Sequence, residues 1–585
     1  MRSRVAIACL FAIGCGPRPT DRDESQATLS IEPANAEVLV ENGVPANQDY
    51  TATLTFPDGT FEDVTDETAF SVDVAFANFE GARASIYGGG KTTVFGQRVD
   101  KIGTGVLTSR LKSTRVDPSL DPNTPDQFNG PEDPNRAPVV VYPADDVVMP
   151  RNVGDFEAHW VDASGNDVFE LSLKTEYADI RVYLPGGNGN PAAGPMPTFG
   201  EFLSTEWTSA VGVEPNVRYQ VRGIQTTAPG PVGASPIHTV QLTNETLEGG
   251  IYYWAAASTN GPDGIYRHDM AHPGQAAEEF FTRNQTPLGA AGTLEEGQAR
   301  CVACHVLSRD GTKMAVTYDG GNRLGTLVDV ATRTPQADFA AWNFATFTPD
   351  GAQLLAVHEG VLTVRSGIDQ TQLAVMPSDG RVSHPDLSPD GTRLVYVRSP
   401  GGADWAFQSG VLFTRTYDAT LMAFGPEVPL VTDGGNNFYP SWSPDGQWIM
   451  FNRDNRAAAD GTTDSYDNPN GELFVIKADG TGTPIALAAA NEIGGLTNSW
   501  GRWAPFSQSV GVNNEPIFWV TVSSKRNFGV RLVNVARPQI WMTPFYPTRA
   551  VQVTDPTVSA FRLPFQNIES NNHIAQWTER VVTTQ

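Results

Sequence analysis

Cysteine is scarce in this chain, and its scarcity limits both the fold and the chemistry. Only Cys9, Cys15, Cys301 and Cys304 occur among the 585 residues. The first two fall in an N-terminal segment with the features of an export leader, so the exported body keeps a single pair of internal thiols. Two thiols cannot cross-link several domains, which excludes a disulfide-stapled scaffold.

Basic residues and catalytic motifs are also lacking. The chain has 40 Lys and Arg against 66 Asp and Glu, a formal charge of −26. Such a surface repels phosphate backbones, so we expect no nucleic-acid partner. The sequence contains no Gly-x-Ser-x-Gly elbow, no His-Glu-x-x-His and no complete Gly-x-x-x-x-Gly-Lys-Ser/Thr phosphate loop, and we therefore predict that the protein is not an enzyme. Beyond the leader, no apolar run is long enough to span a bilayer.

The N-terminus predicts export and lipidation. Arg2 and Arg4 precede an apolar run from Val5 to Ile13, and the run ends in Ala12-Ile13-Gly14-Cys15. This segment resembles a bacterial lipobox, in which cleavage precedes the cysteine and a lipid is attached to it. We expect a signal peptide at 1–14, a lipidated linker at 15–26 anchored by Cys15, and an outer-membrane lipoprotein of the bacterial envelope that faces the periplasm or the cell surface. A plain signal peptide with an incidental cysteine is the alternative.

Two β-modules are predicted before the C-terminal half, within an all-β fold. Tyr50, Ala52, Leu54 and Phe56 alternate with polar residues, as in a half-buried strand. With the turn at Asp58-Gly59-Thr60, residues 27–112 resemble a bacterial Ig-like domain of group 2. Residues 113–136 carry five prolines and are interpreted as a stiff linker. Residues 137–248 resemble a fibronectin-type-III-like sandwich, and both resemblances imply spacers.

Internal repeats dominate residues 249–585. Four segments share the pattern Ser/Thr-x-Asp-Gly and are followed by alternating apolar residues: Ser308–Gly311, Thr348–Gly351, Ser388–Gly391 and Ser443–Gly446. Gly accepts a positive φ and Asp caps its own turn, so each pair reverses the chain between two strands. The repeats resemble blades of TolB-like and WD40-like β-propellers. This resemblance implies a protein partner on the propeller face. We predict six blades, closed by pairing of His573–Trp577 with Ile251–Trp254.

The one motif that carries chemistry is Cys301-Val302-Ala303-Cys304-His305. This spacing is that of c-type haem attachment, in which Cys301 and Cys304 form the thioethers and His305 is the axial ligand of the iron. Met314 is our candidate for the sixth ligand, with Met270 and His272 as alternatives. The predicted function is electron transfer or redox sensing by one haem c.

Other interpretations stay open at this stage. The pair could be a redox dithiol or a structural motif inside a blade, and zinc would need two more ligands, for which only His268 and His272 lie nearby. Without haem, the protein would be an interaction scaffold. The Asp- and Asn-rich stretch from Asp454 to Glu472 could hold calcium, but it lacks the regular spacing of a calcium loop and is interpreted as a solvated insertion. The tryptophans of the later repeats are interpreted as core packing: Trp442, Trp448, Trp500 and Trp503.

Overall fold

The chain is built almost entirely of β-strands, which confirms the predicted fold class. The structure, a computed structural model, describes residues 24–582 except 73, 75, 213, 229, 257–261, 284–301, 319–322, 434 and 457–463. The predicted signal peptide, Cys15 and Cys301 therefore lie outside the described residues. Within the described part, no helix is long and apolar enough to cross a membrane. Two compact units are present, and the first comprises the described residues up to 40, 44–87 and 91–110.

The first unit consists of short antiparallel strands. They are β1 (Thr28–Glu32), β2 (Asn35–Glu41), β3 (Ala46–Asp49), β4 (Thr51–Thr55), β5 (Phe61–Asp63), β6 (Ala69–Val72), β7 (Ala77–Glu80), β8 (Arg83–Ile86), β9 (Gly90–Arg98) and the first part of β10 (Lys101–Val116), with a 3-10 turn at Thr65–Glu67. β4 pairs with β1 and β5, β8 with β3 and β7, and β6 with β9. Tyr50, Ala52 and Leu54 are buried, so the predicted alternation is confirmed.

The second unit begins with a module of two sheets. Its elements are the remainder of β10, β11 (Val139–Tyr142), β12 (Val147–Met149), β13 (Phe156–Val161), β14 (Val168–Lys174), β15 (Ala178–Pro185), β16 (Thr198–Phe202), α1 (Ser204–Val211), β17 (Asn216–Ile224), β18 (Gly233–Ala234) and β19 (His238–Leu242), with 3-10 turns at Thr124–Asn129, Pro134–Arg136 and Pro191–Ala193. One sheet has the order β12-β19-β17-β14-β15-β10, and the other has the order β11-β13-β16. We call this part the middle module.

The segment 113–136, expected to be a linker, is packed into the middle module instead. The end of β10 pairs in parallel with β15. Phe128 is only 2% exposed and contacts Tyr183 edge-on, with ring centroids 5.3 Å apart. Arg222 donates a hydrogen bond of 2.6 Å to the carbonyl of Phe128. The prolines correctly indicate an irregular backbone, but the buried side chain of Phe128 packs that backbone against the core of the middle module.

Residues 250–578 form a β-propeller of six blades. Its elements are β20 (Gly250–Ala256), β21 (Gly264–Asp269), β22 (Glu278–Thr282), β23 (Val302–Leu307), β24 (Lys313–Tyr318), β25 (Arg323–Asp329), β26 (Thr334–Pro335), β27 (Ala340–Trp342), β28 (Phe344–Phe347), β29 (Gln353–His358), β30 (Val361–Ser366), β31 (Gln372–Val375), β32 (Arg381–Leu387), β33 (Arg393–Ser399), β34 (Val411–Asp418), β35 (Ala423–Phe424), β36 (Val428–Val431), β37 (Asn436–Trp442), β38 (Trp448–Asp454), β39 (Glu472–Lys477), β40 (Ile485–Ala486), α2 (Ala488–Asn491), β41 (Ser499–Val510), β42 (Glu515–Ser524), β43 (Gln539–Phe545), α3 (Pro547–Val551), β44 (Phe561–Arg562) and β45 (Asn571–Thr578). Blade 1 is β45-β20-β21-β22, and blades 2 to 6 begin at β23, β28, β32, β37 and β41.

The four repeated Asp-Gly turns join the two innermost strands of blades 2 to 5. In blade 4, Asp390 Oδ1 accepts hydrogen bonds from the Ser388 hydroxyl at 2.5 Å and from the Thr392 N–H at 3.0 Å. Gly391 has a φ of +72°, which a residue with a Cβ adopts only under strain. The same bonds recur in the other three blades, so the turn chemistry inferred from the sequence is present in each.

The C-terminal strand closes the ring. β45 pairs antiparallel with β20, with His573 opposite Trp254 and Trp577 opposite Ile251. The innermost strand of blade 1 thus comes from the opposite end of the propeller sequence. The predicted pairing is confirmed, and closure leaves the sheet no open edge at the first blade.

The middle module is packed against blade 6. A loop between β42 and β43 carries Phe528, whose ring lies 4.6 Å from that of His159 in the middle module. His159 Nδ1 accepts the N–H of Val530 at 3.3 Å, and Arg531 donates to Glu157 at 2.8 Å. These contacts make the middle module part of one body with the propeller.

Candidate functional site: the central channel of the propeller

The innermost strands of the six blades surround a channel, and bulges shape its wall. Five of the six strands carry a register shift at equivalent positions. Positive φ angles occur at four of these bulges, at His384, Tyr439, Trp500 and Ile574. Residues with side chains adopt such angles only at a cost of about 1–3 kcal/mol, and bulges of this kind re-aim side chains beside binding sites. The channel is therefore the candidate functional site.

Three connected spaces follow the channel axis. The largest, which we call the wide cavity, has a volume of about 600 Å³. A narrow section of about 20 Å³ follows, and all six blades contribute to its lining, which includes Cys304, His305, Asn343, His384, Tyr439, Trp500 and Ile574. A space of about 160 Å³ lies at the other end, among the Asp-Gly turns. The wide cavity has the size of a typical small-molecule or cofactor pocket, about 300–1,000 Å³.

Cys304 lies on the wall of the wide cavity. It stands at the bulge of β23, half-buried, with its Sγ 3.9 Å from the side-chain oxygen of Asn343. The thiol is thus placed where it can be joined to a molecule in the cavity. Cys301, its partner in the motif, lies outside the described residues.

His305 lies apart from the wide cavity. Its imidazole is 4% exposed, and Nε2 is 3.4 Å from the carbonyl oxygen of Tyr252, a long contact. Both residues line the narrow section, but only Cys304 also lines the wide cavity. The donors of the motif therefore fit thioether attachment at Cys304. Iron ligation by His305 requires the ring to turn away from Tyr252.

Six aromatic rings line the wide cavity. They belong to Trp254, Phe344, Trp405, Tyr439, Tyr466 and Trp500. Trp405 and Tyr466 contact each other edge-on at 5.5 Å and are 40% and 60% exposed. Large rings that remain accessible beside a cavity are typical of a binding site for a flat, apolar molecule. Of the four tryptophans interpreted as core packing, Trp442, Trp448 and Trp503 are buried in blades, whereas Trp500 lines this wall.

His573 also lines the wide cavity, although the sequence motifs did not single it out. Its ring packs edge-on against Trp254 with centroids 4.6 Å apart. Burial lowers the pKa of His573 to about 3, with a further contribution from His305. The ring is therefore neutral near pH 7. The predicted pairing of β45 beside Trp254 was the one sequence signal that could have placed His573 near the motif.

The methionine and histidine candidates for the sixth ligand lie elsewhere. Met314 is fully buried in the core that blade 2 shares with blade 1. Met270 is 1% exposed outside the cavity wall, and His272 is exposed and bound to Asp269 at 2.9 Å. None of them lines the wide cavity, because Met314 on β24 faces the blade core and Met270 and His272 follow the end of β21.

The acidic stretch after β38 bonds to its own neighbours. Asp454 accepts a hydrogen bond from Asn468 at 3.0 Å and lies 3.4 Å from Arg456. Asp460 lies outside the described residues. Among those described, no group of three or more His, Cys, Asp or Glu residues could hold a metal ion.

A buried pair of charged side chains marks the passage from the narrow section to the turn end of the channel. Asp386 accepts the N–H of Trp442 at 2.8 Å, and Arg502 lines the same passage. Burial raises the pKa of Asp386 to about 6, although Arg502 acts to lower it. Burial likewise lowers the pKa of Arg502.

Arg309 crosses the channel mouth at the turn end. The other three repeats have proline at this position of the turn. From blade 2, its guanidinium approaches the carbonyls of Pro389 in blade 4 at 3.4 Å and Pro505 in blade 6 at 3.5 Å. These blades alternate around the ring, so a side chain that reaches both spans the opening. Arg309 therefore obstructs this mouth.

Comparisons with known proteins add similarity of fold. No family model matches the chain, and no curated protein matches it. Three solved structures are similar: TolB from Acinetobacter baumannii (12% identity, TM-score 0.36, covering 62% of this chain and 79% of that one), a putative TolB from Agrobacterium tumefaciens (14%, 0.29, 55% and 89%) and hydrazine synthase from Kuenenia stuttgartiensis (13%, 0.26, 43% and 78%). These scores are low, so the fold is identified from the strand pairing of this chain. The described part of the chain is an all-β structure with a six-bladed propeller closed by β45.

Proposed function

We propose that this protein is an envelope lipoprotein whose propeller carries one covalently attached haem c in the wide cavity, for electron transfer or redox sensing. The observation that carries the proposal is the position of Cys304, the second cysteine of the Cys-x-x-Cys-His motif, on the wall of an aromatic cavity of about 600 Å³. A thiol at such a wall can hold a flat macrocycle by a bond while the rings around it exclude water.

The residues of the chain have distinct roles in this proposal. Cys301 and Cys304 fasten the porphyrin, and the aromatic wall around Trp500 packs against its faces. The bound haem supplies a one-electron redox centre. His305 is the axial ligand expected from the motif. To face the cavity, its ring would have to turn away from the Tyr252 carbonyl, which lies 3.4 Å from Nε2.

The first experiment is a haem stain of the protein after denaturing electrophoresis. Expressed in a host that has a cytochrome c maturation system, the wild-type chain should retain haem and show a Soret band that shifts on reduction. Cys304→Ala and Cys301→Ala should lose the covalent stain. Asp418→Ala, at an exposed turn of blade 4, is the control that keeps it. A colourless wild-type preparation would refute the proposal.

A haem-free interaction scaffold is the second candidate function. The exposed pair Trp405 and Tyr466 favours it, because accessible aromatic rings are common at the centre of protein interfaces. In that case the partner binds the propeller face around the wide cavity. A colourless protein whose partner binding is lost in Trp405→Ala would support the scaffold.

Anchoring by Cys15 is part of the proposal and is tested separately. Cells labelled with a clickable palmitate analogue should incorporate it into the wild-type chain and not into Cys15→Ser. The wild-type protein should sediment with outer membranes, and the variant should be released by osmotic shock. Cys9→Ser, within the leader, serves as the control. A wild-type chain without label would show that the leader is a plain signal peptide.

A further inference from the structure

The rim of the wide cavity presents two aromatic rings to solvent. Trp405 and Tyr466 line the cavity and contact each other edge-on, with ring centroids 5.5 Å apart and an interplanar angle of 90°. They are 40% and 60% exposed, and no other aromatic side chain among the described propeller residues is exposed to this extent. The two rings therefore form an open corner at the mouth of the cavity.

Hydrogen bonds between two loops hold these rings in place. Trp405 belongs to the loop between β33 and β34 of blade 4, and Tyr466 belongs to the loop between β38 and β39 of blade 5. The Ser465 hydroxyl donates to the Trp405 carbonyl at 3.3 Å and accepts the N–H of Phe407 at 3.3 Å. The Ser465 N–H donates to the Phe407 carbonyl at 2.9 Å. The corner is thus positioned before a ligand arrives, which reduces the entropy that binding loses.

A carboxylate lies next to the rings on the same wall. Asp467 also lines the cavity, and its side chain is 55% exposed. Both of its oxygens accept hydrogen bonds from the Lys525 ammonium, at 2.6 Å and 2.7 Å. The chain itself therefore holds a cation at this wall. Lys525 binds as a compact point charge, whereas a guanidinium offers two parallel N–H groups to a carboxylate and a flat face to a ring.

Arginine side chains already lie over aromatic rings elsewhere in the propeller. The guanidinium carbon of Arg393 is 4.4 Å from the ring centroid of Trp442, and that of Arg398 is 4.1 Å from the ring centroid of Phe413. Cation–π contacts of this kind involve arginine more often than lysine. The formal charge of −26 adds a long-range attraction for basic partners. The rim thus combines accessible rings and a carboxylate, the two groups that recognise a guanidinium.

We infer that this rim binds the guanidinium of an arginine side chain on a protein partner, through the rings of Trp405 and Tyr466 and the carboxylate of Asp467. The inference names the chemistry of the partner that binds the propeller face around the wide cavity. It rests on that part of the proposed function and requires no haem. The incoming arginine displaces Lys525 from Asp467, so the chain contains its own competitor for the site.

The test titrates the purified protein with the capped peptide acetyl-Gly-Arg-Gly-amide and measures binding by calorimetry. The comparison peptide carries citrulline, which has nearly the shape of arginine without its charge. The arginine peptide should bind at least about tenfold more tightly than the citrulline peptide. Trp405→Leu and Tyr466→Leu should each weaken its binding about threefold. Asp467→Asn should weaken it about fivefold, because the charge-assisted bonds are lost.

Lys525→Met gives the result of opposite sign. It should tighten binding of the arginine peptide about threefold, because the competing ammonium is removed from Asp467. A misfolded variant cannot bind more tightly, so this outcome does not depend on how well the other variants fold. Tyr87→Leu, at an exposed ring of the first unit, and Asp418→Asn, at an exposed turn of blade 4, are the controls and should bind as the wild type does.

The outcomes separate the inference from the haem assignment. Equal affinity for the two peptides would overturn the inference, as would unchanged binding in both Lys525→Met and Asp467→Asn. Neither result affects the haem assignment, which the haem stain decides separately. A colourless wild type that still prefers the arginine peptide would refute the haem assignment while the inference stands.

Discussion

At the scale of single residues, two buried neutral histidines determine how the stability of the fold responds to acid. His268 is 2% exposed and stacks on Phe565 with centroids 4.0 Å apart, and burial lowers its pKa to about 4. His384 is buried in the channel, and its pKa is likewise well below 6.5. In the unfolded chain both rings take up protons near pH 6.5. As the pH falls, the unfolded state therefore binds protons before the folded state does. Their contribution to stability is complete above about pH 6.5 and is lost as the pH falls toward 4.

We expect His268→Phe to reduce this acid sensitivity. The substitution keeps a ring against Phe565 and removes the titration, which costs the wild type about 1 kcal/mol at pH 5.5. The measurement is the melting temperature at pH 7.5 and pH 5.5, followed by circular dichroism. His272→Phe, on the exposed histidine, is the matched control. An unchanged drop in melting temperature for His268→Phe would contradict the assignment.

The Asp-Gly turns show how much one carboxylate contributes to a blade. Asp390 accepts bonds from Ser388 and Thr392, and these bonds lower the pKa of its carboxyl. We expect Asp390→Ala to lower the free energy of unfolding by about 1–3 kcal/mol, since two or three hydrogen bonds are lost. Urea unfolding measures the change. Asp418→Ala, at an exposed turn of the same blade, should cost less, and equal losses would show that the repeated turn has no special role.

At the scale of elements, the loop between β42 and β43 joins the middle module to blade 6. Gly529 has a φ of +48°, and a Cβ at this position would lie 2.0 Å from His159 Nδ1. We predict that Gly529→Ala lowers the free energy of unfolding by about 3 kcal/mol or more, because backbone strain and a steric clash add. Chemical denaturation provides the measurement.

Gly511 is the matched control for this prediction. It lies in the same blade with a φ of +72°, and a Cβ there would meet nothing within 4 Å. Gly511→Ala should therefore lower the free energy of unfolding by about 1 kcal/mol, through backbone strain alone. If both variants lost the same stability, the contact between Gly529 and His159 would not hold the two parts together.

The elements that could be predicted from the sequence are those marked by a short run of neighbouring residues. The turns at Asp310, Asp350, Asp390 and Asp445 each combine a cap and a glycine within four residues, so the blades that contain them were recognisable. Blade 6 lacks this turn, and the sequence indicated it only by the degenerate segment Trp503–Phe506 and the apolar run Ile517–Val522. The packing of segment 113–136 was missed, because it depends on where Phe128 meets a distant strand.

The candidate site was predictable only in part, for a related reason. Cys304 and His305 belong to one motif. A motif gives residue types and their spacing, but it does not give the backbone conformation that places the side chains. The bulge of β23, the exposed rim at Trp405 and the position of His573 result from six strands that meet around one axis. No window of the sequence contains that arrangement.

At the scale of the whole molecule, the propeller depends on its last strand. β45 supplies the inner strand of blade 1, and Trp577 packs edge-on against Phe506 of blade 6 at 5.9 Å. A chain that stops after residue 570 should therefore lose cooperative unfolding and aggregate, because blade 1 and blade 6 would both expose apolar surface. Size-exclusion chromatography and thermal melting are the measurements. A chain that stops after residue 582 is the control, and a monomeric, cooperative 570-residue product would show that β45 is dispensable.

Closure by β45 also limits access to Cys304. While the inner edge of blade 1 is vacant, β23 lacks the inner strand that lies beside it on that side of the ring. Once β45 docks, β23 has inner strands on both sides, and access to the wide cavity is limited to what passes the rim at Trp405 and Tyr466. Under the proposed function, a haem larger than that rim would have to be joined to Cys304 before the ring closes, and the docking time of the final strand would set the time for attachment.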